Sequence, residues 1–339
     1  MRSVEQTVAP LGLAIVGPTA SGKTSLACEL ASSRADVEAV SVDSMAVYRG
    51  MDIGTAKPSA AERSLVAWHM VDVLDPSEEL SVSSFQRLAT GVLDDIYARG
   101  HVAVLVGGTG LYLRALLDGL QIPGCWPQIA ATLEEESLAP GGLGELYERL
   151  ERLDPVAAAK IEPNNRRRLV RALEVTIGSG APFSSHGSGL ERYGRISYTI
   201  LGVRYPPSEQ KARIEQRFAK QMEQGFLEEV ETLLQRREGL SRTARQALGY
   251  RELIEHVSGS CDIEEAIARA LQRTREFARR QWRWFRRDPR VRWLDPNNDL
   301  LGEAARAADE VIASREGRGS AAELCQQLLV SCGRGSVLG

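Results

Sequence analysis

Eight consecutive residues, Gly17-Pro18-Thr19-Ala20-Ser21-Gly22-Lys23-Thr24, carry the most explicit chemistry in the chain. They match G-x-x-x-x-G-K-[ST], the pattern of a phosphate-binding P-loop. The glycines let successive backbone N–H groups converge on an anion. The start of the following helix adds partial positive charge, and Lys23 adds a full one. The Thr24 hydroxyl can bind Mg²⁺. The spacing therefore predicts a grip on the diphosphate or triphosphate of a small molecule, and the loop alone suggests an ATP site. An NTPase would also offer an acid at the end of an apolar strand to hold the metal. Here the most apolar run, Val102 to Val106, ends in Gly107-Gly108-Thr109, and the acid stands elsewhere, as Asp43 after Val37 to Val42. A nucleotide hydrolase fits these residues poorly; a P-loop small-molecule kinase stays open.

The elements that must position these groups follow from periodicity. Leu13 to Val16, Val37 to Val42, Met70 to Leu74, Val102 to Val106, Ile196 to Val203 and Val291 to Leu294 read as strands. Ser81 to Arg99 has helical spacing, with Phe85, Leu88, Val92, Leu93 and Ile96 on one face. Strands that are apolar on both faces and separated by helices predict an α/β fold, with a P-loop NTPase-like parallel sheet covered on both sides. Ligands of such sheets collect beyond the carboxyl ends of the strands. That puts weight on Gly17 to Thr24, Asp43 to Ala46 and Gly107 to Thr109. From about Gln121 the pattern becomes helical, broken by Pro140-Gly141-Gly142, Asp154-Pro155 and Pro163, then by the polar stretch Gly178 to Gly194. The expected organisation is a first core segment (1–120), a mostly helical insertion domain (121–195), a second core segment with a basic helix (196–316) and a loose tail (317–339).

Bulk properties narrow the setting. The chain has 339 residues, is 43% hydrophobic and 26% charged, and carries a net charge of −3, so it has no global attraction to nucleic acid. The five cysteines form no C-x-x-C pair and the four histidines show no metal spacing, which points away from disulfides and zinc and towards a reducing, cytoplasmic setting. No run approaches the ~18 apolar residues of a membrane span. Charge is instead concentrated locally. Arg166-Arg167-Arg168 with Arg171 opens one helix, and Arg236, Arg237, Arg242, Arg245 and Arg251 surround a second segment. From Arg269 to Arg292, ten arginines stand against Glu276 and Asp288, a local charge of +8. A solvated helix face normally mixes signs, so this excess predicts contact with RNA phosphates. Trp282, Trp284 and Phe285 read as core.

Three blocks fall together: the P-loop itself, Ser41-Val42-Asp43-Ser44 running into Tyr48-Arg49-Gly50-Met51-Asp52-Ile53-Gly54-Thr55-Ala56-Lys57-Pro58, and Val106-Gly107-Gly108-Thr109-Gly110-Leu111-Tyr112. They closely resemble the tRNA dimethylallyltransferase (tRNA isopentenyltransferase) family. Arg167 to Val175, Arg213 to Phe218 and Leu248 to Glu252 continue the match in order, over roughly residues 11 to 295. The resemblance implies transfer of a dimethylallyl group from dimethylallyl diphosphate to N6 of adenosine 37, beside the tRNA anticodon, with release of diphosphate. It implies Asp43 as general base, Thr109 reaching the adenosine and the reaction centre, and Arg217 on the diphosphate. The tRNA-contacting segments would be Asp43-Ser44-Met45-Ala46, Arg167-Arg168-Leu169-Val170-Arg171 and Gln246-Ala247-Leu248-Gly249-Tyr250-Arg251. The partners so implied are dimethylallyl diphosphate and the anticodon stem-loop, with Mg²⁺ as cofactor and a monomeric enzyme. The chain departs from the family after Pro123. There the family carries Asp-Pro and then an arginine that touches tRNA, whereas Cys125-Trp126-Pro127-Gln128-Ile129-Ala130 stands here.

Overall fold

The structure is a computed structural model and describes residues 11–186, 190 and 192–316; the tail expected at 317–339 lies outside them. The described residues divide into two compact units, one built from those within 11–119 and 195–316 and the other from those within 120–194.

The first unit opens with β1 (Gly12–Val16), α1 (Lys23–Ser32) and β2 (Val37–Ser41), followed by α2 (Ala60–Leu65), β3 (Trp68–His69), α3 (Val82–Ala98), β4 (Val102–Gly107) and α4 (Gly110–Leu117). The second unit contains α5 (Pro127–Leu138), α6 (Gly142–Leu153), α7 (Pro155–Ala158) and α8 (Arg166–Ser179). The chain then returns to the first unit with β5 (Tyr198–Val203), α9 (Pro207–Glu223), α10 (Phe226–Leu234), α11 (Arg242–Arg245), α12 (Tyr250–Val257), α13 (Ile263–Phe285), β6 (Val291–Leu294) and α14 (Leu300–Glu316).

All six strands are parallel, in the order β3-β2-β4-β1-β5-β6. Alternate residues of each strand serve opposite faces. Ala14, Val16, Val40 and Val42 join one core with Phe85, Phe218, Phe226 and Tyr250, while Leu13, Ile15, Val37 and Ala39 join another with Leu26, Leu30, Ala304 and Val311. Two buried faces explain the unbroken apolar runs of the strands. The chain leaves β1 towards β2 on one side and leaves β4 towards β5 on the other. The adjacent pair β1 and β4 is therefore the topological switch point, where a crevice opens beyond the strand ends.

Two expectations need correction. The third strand is the short pair Trp68–His69, and of Met70 to Leu74 only Leu74 bridges, to Tyr48. Met70 and Asp72 take φ of 59° and 58°, which breaks a strand there. The Ser81–Arg99 helix forms as expected, its N-terminus capped by Ser81 and Ser84, but Leu88 is exposed rather than in the stripe. The second unit has its own core, of Leu133, Leu146, Leu150, Leu169, Val170 and Leu173. Among the described residues no helix is long and apolar enough to cross a membrane.

Candidate active site

The P-loop runs from the end of β1 into α1. Gly22, the residue before the helix, sits at φ 80°, a left-handed conformation that costs glycine least. Ala20 sits at φ 61° without that freedom, so the loop must be held from outside. Three side chains do so. Gln281 of α13 accepts the Thr19 N–H at 2.8 Å, Gln210 of α9 donates to the Thr19 carbonyl at 2.5 Å, and Arg213 donates to the Ala20 carbonyl at 3.1 Å. A cavity of about 1320 Å³ opens beside the loop. Its lining includes Ala20 to Ser25, the α9 residues Arg213, Gln216, Arg217 and Lys220, and an opposing wall with Ile53, Lys57, Arg63 and Asp72. That wall is rigid: the Lys57 ammonium donates to the Tyr48 carbonyl, Asp52 and Asp72, and Arg63 also pairs with Asp72.

Arg213, Arg217 and Lys220 share one face of α9, so the helix lays a cationic row against the loop. Arg217 donates to the Thr19 hydroxyl at 3.1 Å. Lys23 donates to the Pro18 carbonyl at 2.6 Å. Burial, and then the neighbouring Arg217 charge, push the Lys23 ammonium down to about 7; the Asp43 carboxylate pulls it part of the way back. Burial also lowers Arg217, again opposed by Asp43. Two cations are thus crowded together without full neutralisation, an arrangement that a polyphosphate would relieve.

Asp43 follows β2. Its Oδ1 accepts the N–H groups of Met45 at 2.8 Å and Ala46 at 3.3 Å, a local turn that orients the carboxyl group. Oδ2 has no hydrogen-bond partner among the described residues. Thr109 opens α4 as its N-cap residue, yet its hydroxyl makes no capping bond. The Thr109 N–H meets the Val42 carbonyl at 3.4 Å, and Gly107 lies in register with Val16. The loops after β1, β2 and β4 therefore lie side by side, bringing Lys23, Asp43, Thr109 and Arg217 around one end of the sheet.

The residues expected to face RNA divide by exposure. Arg167 and Arg168 are exposed, whereas Leu169 and Val170 point into the core of the second unit, so their side chains offer nothing to a ligand. Arg171 is tied to Glu174 at 2.9 Å and to the Pro123 carbonyl at 2.9 Å. In the first unit Gln246 and Arg251 are exposed, while Ala247 and Tyr250 are buried, with the Tyr250 hydroxyl donating to Glu229. The +8 segment is less free than its composition implies. Arg269 pairs with Glu255 and Glu265, Arg273 with Glu252, Arg275 with Glu215, Arg290 with Asp118 and Asp288, and Arg292 with Glu303. Arg279, Arg280, Arg283, Arg286 and Arg287 remain exposed with no carboxylate partner among the described residues, so the unneutralised charge gathers at the end of α13. Phe285 is core, and Trp284 packs against it; Trp282 lies half-buried between Trp293 and the Arg204 guanidinium.

At the departure after Pro123, Trp126 caps α5. Its N–H donates to Glu174 at 2.7 Å, and its indole fills the space over Gly178. Sequence reasoning took Arg213 only as the start of a matching block, with no role at the loop, and passed over Gln210 and Gln281. A signal existed for the glutamines: Gln210 shares the buried stripe of Ile214 and Phe218, and Gln281 that of Ala278 and Phe285. A polar residue on an apolar stripe needs a partner.

Comparison with known proteins gives one consistent picture. The sequence model of the IPP transferase family matches residues 46–288. A tRNA dimethylallyltransferase of Acidothermus cellulolyticus is 46% identical over 295 residues, covering 86% of this chain and 91% of its own length. One of Bifidobacterium longum subsp. infantis is 41% identical over 300 residues, covering 87% of this chain and 89% of its own. The crystal structure of a tRNA isopentenylpyrophosphate transferase from Bacillus halodurans superposes with a TM-score of 0.64 at 35% identity, over 90% of this chain and 97% of that one. A eukaryotic dimethylallyltransferase captured acting on tRNA gives a TM-score of 0.72 at 26% identity, over 90% and 78%.

Proposed function

The chain belongs to the IPP transferase family, and from that premise we infer how its site transfers a dimethylallyl group to tRNA. It is a prenyltransferase enzyme, which displaces the kinase alternative. The reading proposed here is transfer from dimethylallyl diphosphate to N6 of adenosine 37 in the anticodon stem-loop, by a monomeric cytoplasmic enzyme. The observation that carries it is the meeting of Lys23, Arg217, Asp43 and Thr109 at the β1–β4 switch point.

Diphosphate leaves readily only when its charge is neutralised as it departs. The P-loop amides of Ala20 to Thr24, the α1 N-terminus, Lys23 and Arg217 supply that neutralisation. The Thr24 hydroxyl lines the cavity and makes no hydrogen bond among the described residues. This fits Mg²⁺, which keeps most of its waters and binds through few protein oxygens plus substrate phosphate. When bound there, the ion would add positive charge to the leaving diphosphate. The exocyclic amine N6 attacks C1 of the dimethylallyl group as the C1–O bond to diphosphate breaks. The amine then carries surplus positive charge and gives a proton to Asp43 Oδ2, the oxygen left free by the turn. The free Thr109 hydroxyl, on the neighbouring strand end, is suited to orient the adenosine. To reach this site the base must leave its stack, and contacts from Arg279, Arg283 and Arg286 would hold the flanking phosphates.

The direct test is incubation with unmodified tRNA, Mg²⁺ and dimethylallyl diphosphate labelled in the prenyl group. Label should appear in the RNA at adenosine 37, mapped by nuclease digestion and mass spectrometry. Label at another nucleotide, or none, would overturn the reading.

A further inference from the structure

Gln281 hydrogen-bonds to both the phosphate loop and the turn bearing Thr109. Its Oε1 accepts the Thr19 N–H at 2.8 Å, and its Nε2 donates to the Gly108 carbonyl at 2.9 Å. The side chain is almost wholly buried, on the helix face that also buries Ala266, Ala270, Ala278 and Phe285. Each bond has a consequence one residue further on. Thr19 presents its hydroxyl to Arg217, which faces the diphosphate; Gly108 precedes Thr109, which faces the adenosine. A planar amide bonded at both ends cannot let those two groups drift apart. The fit admits no extra atom: a Cβ on Gly108 would lie 2.1 Å from Gln281 Nε2.

We propose that Gln281 is a positioning residue that sets the separation between the leaving-group cradle and the acceptor turn, and so the distance over which C1 passes from oxygen to nitrogen. Reaction in line requires the attacking and leaving atoms to be held close to their productive spacing, and a misplacement of about 1 Å costs about 10²-fold. Gln281 also lies on α13 between Arg280 and Arg283, so the helix that carries the unpaired cations bears directly on both loops. The inference rests on the prenyl-transfer reading above.

The test compares wild type with Gln281→Met, which keeps the length and loses both bonds, and Gln281→Glu, which keeps an acceptor for Thr19 and loses the donor to Gly108. Single-turnover transfer rates, KM for dimethylallyl diphosphate, tRNA affinity by filter binding, and melting temperature are measured on each. The expected result for Gln281→Met is a single-turnover rate lower by about ten- to a hundredfold. Its tRNA affinity stays within about twofold and its KM within about threefold of wild type. Gln281→Glu should lose less rate than Gln281→Met. A rate within about threefold of wild type in folded Gln281→Met would overturn the proposal. So would a loss of tRNA affinity that matches the loss of rate, which would make Gln281 an RNA contact. Absence of transfer by the wild type would instead refute the prenyl-transfer reading itself, so the two failures are distinguishable.

Discussion

Replacing Lys23 by methionine should abolish transfer and yet make the unliganded fold more stable at mildly acid pH. Burial and the Arg217 charge hold the Lys23 ammonium at about 7, against its ordinary 10.5. Below about pH 7 the lysine is charged in both the folded and unfolded chains, and the fold bears the whole cost of burying it. Between about 7 and 10.5 the unfolded chain keeps a proton that the folded chain has released, so stability rises with pH. Above 10.5 neither state holds it and the cost is gone. At about 1.4 kcal/mol per pH unit, the interval from 10.5 down to about 7 limits that cost to about 5 kcal/mol. Water in the cavity screens part of it. Methionine also strands the Pro18 carbonyl, which loses a charged donor at 2.6 Å, worth about 1.5–3 kcal/mol. The net expectation is a gain of about 1–3 kcal/mol near about pH 6, shrinking to nothing or reversing by about pH 10. Urea midpoints of the two proteins at both pH values measure it, and labelled transfer should fall by about 10²-fold or more. A variant less stable than wild type at about pH 6, or a gain that grows with pH, would refute the electrostatic reasoning.

Other substitutions separate roles that share a residue or a segment. Asp43→Asn keeps an oxygen for the Met45 and Ala46 N–H groups, so its urea midpoint should match wild type while transfer falls by about 10²–10⁴-fold; a variant that keeps full activity would remove Asp43 as the base. Arg283→Ala and Arg286→Ala should each weaken tRNA binding and lower its salt slope by about one, with no change in melting temperature. Arg273→Ala should do the opposite, because it leaves the buried Glu252 carboxylate unpaired at a cost of about 3–5 kcal/mol; equal effects of the three on RNA affinity would contradict that division. Gly108→Ala should cost about 1–3 kcal/mol in urea unfolding, since its Cβ would meet Gln281 Nε2 at 2.1 Å, and neutrality there would mean the amide is not held.

What could be read without coordinates is local in sequence. The P-loop is a contiguous run whose glycines and following helix carry a recognisable pattern, so Gly17 to Thr24 announce themselves, although Gln210, Arg213 and Gln281 hold the folded loop from outside. Asp43 and Thr109 were legible because the ends of apolar runs become strand ends in a parallel sheet. The third strand was misplaced by two to five residues because its pairing is only Trp68 with Ala39 and His69 with Val40, too short to leave a periodicity. Arg217 had no signal of its own on a helix of ordinary composition and came from the family resemblance alone.

The chain by itself determined a P-loop sequence between a strand and a helix, a parallel sheet with two apolar faces and an excess of arginine near residue 280. Tertiary structure alone decided how much of that charge is free, because carboxylates from other helices, Glu215, Glu252 and Glu255 among them, neutralise the first half of the run. It alone gave Gln281 its two partners, Thr19 and Gly108, which lie 262 and 173 residues away. The physical reason is common to both cases: a charge or a hydrogen-bonding group is defined by what lies within a few ångströms, and spacing along the chain records only the neighbours that the same helix or strand supplies.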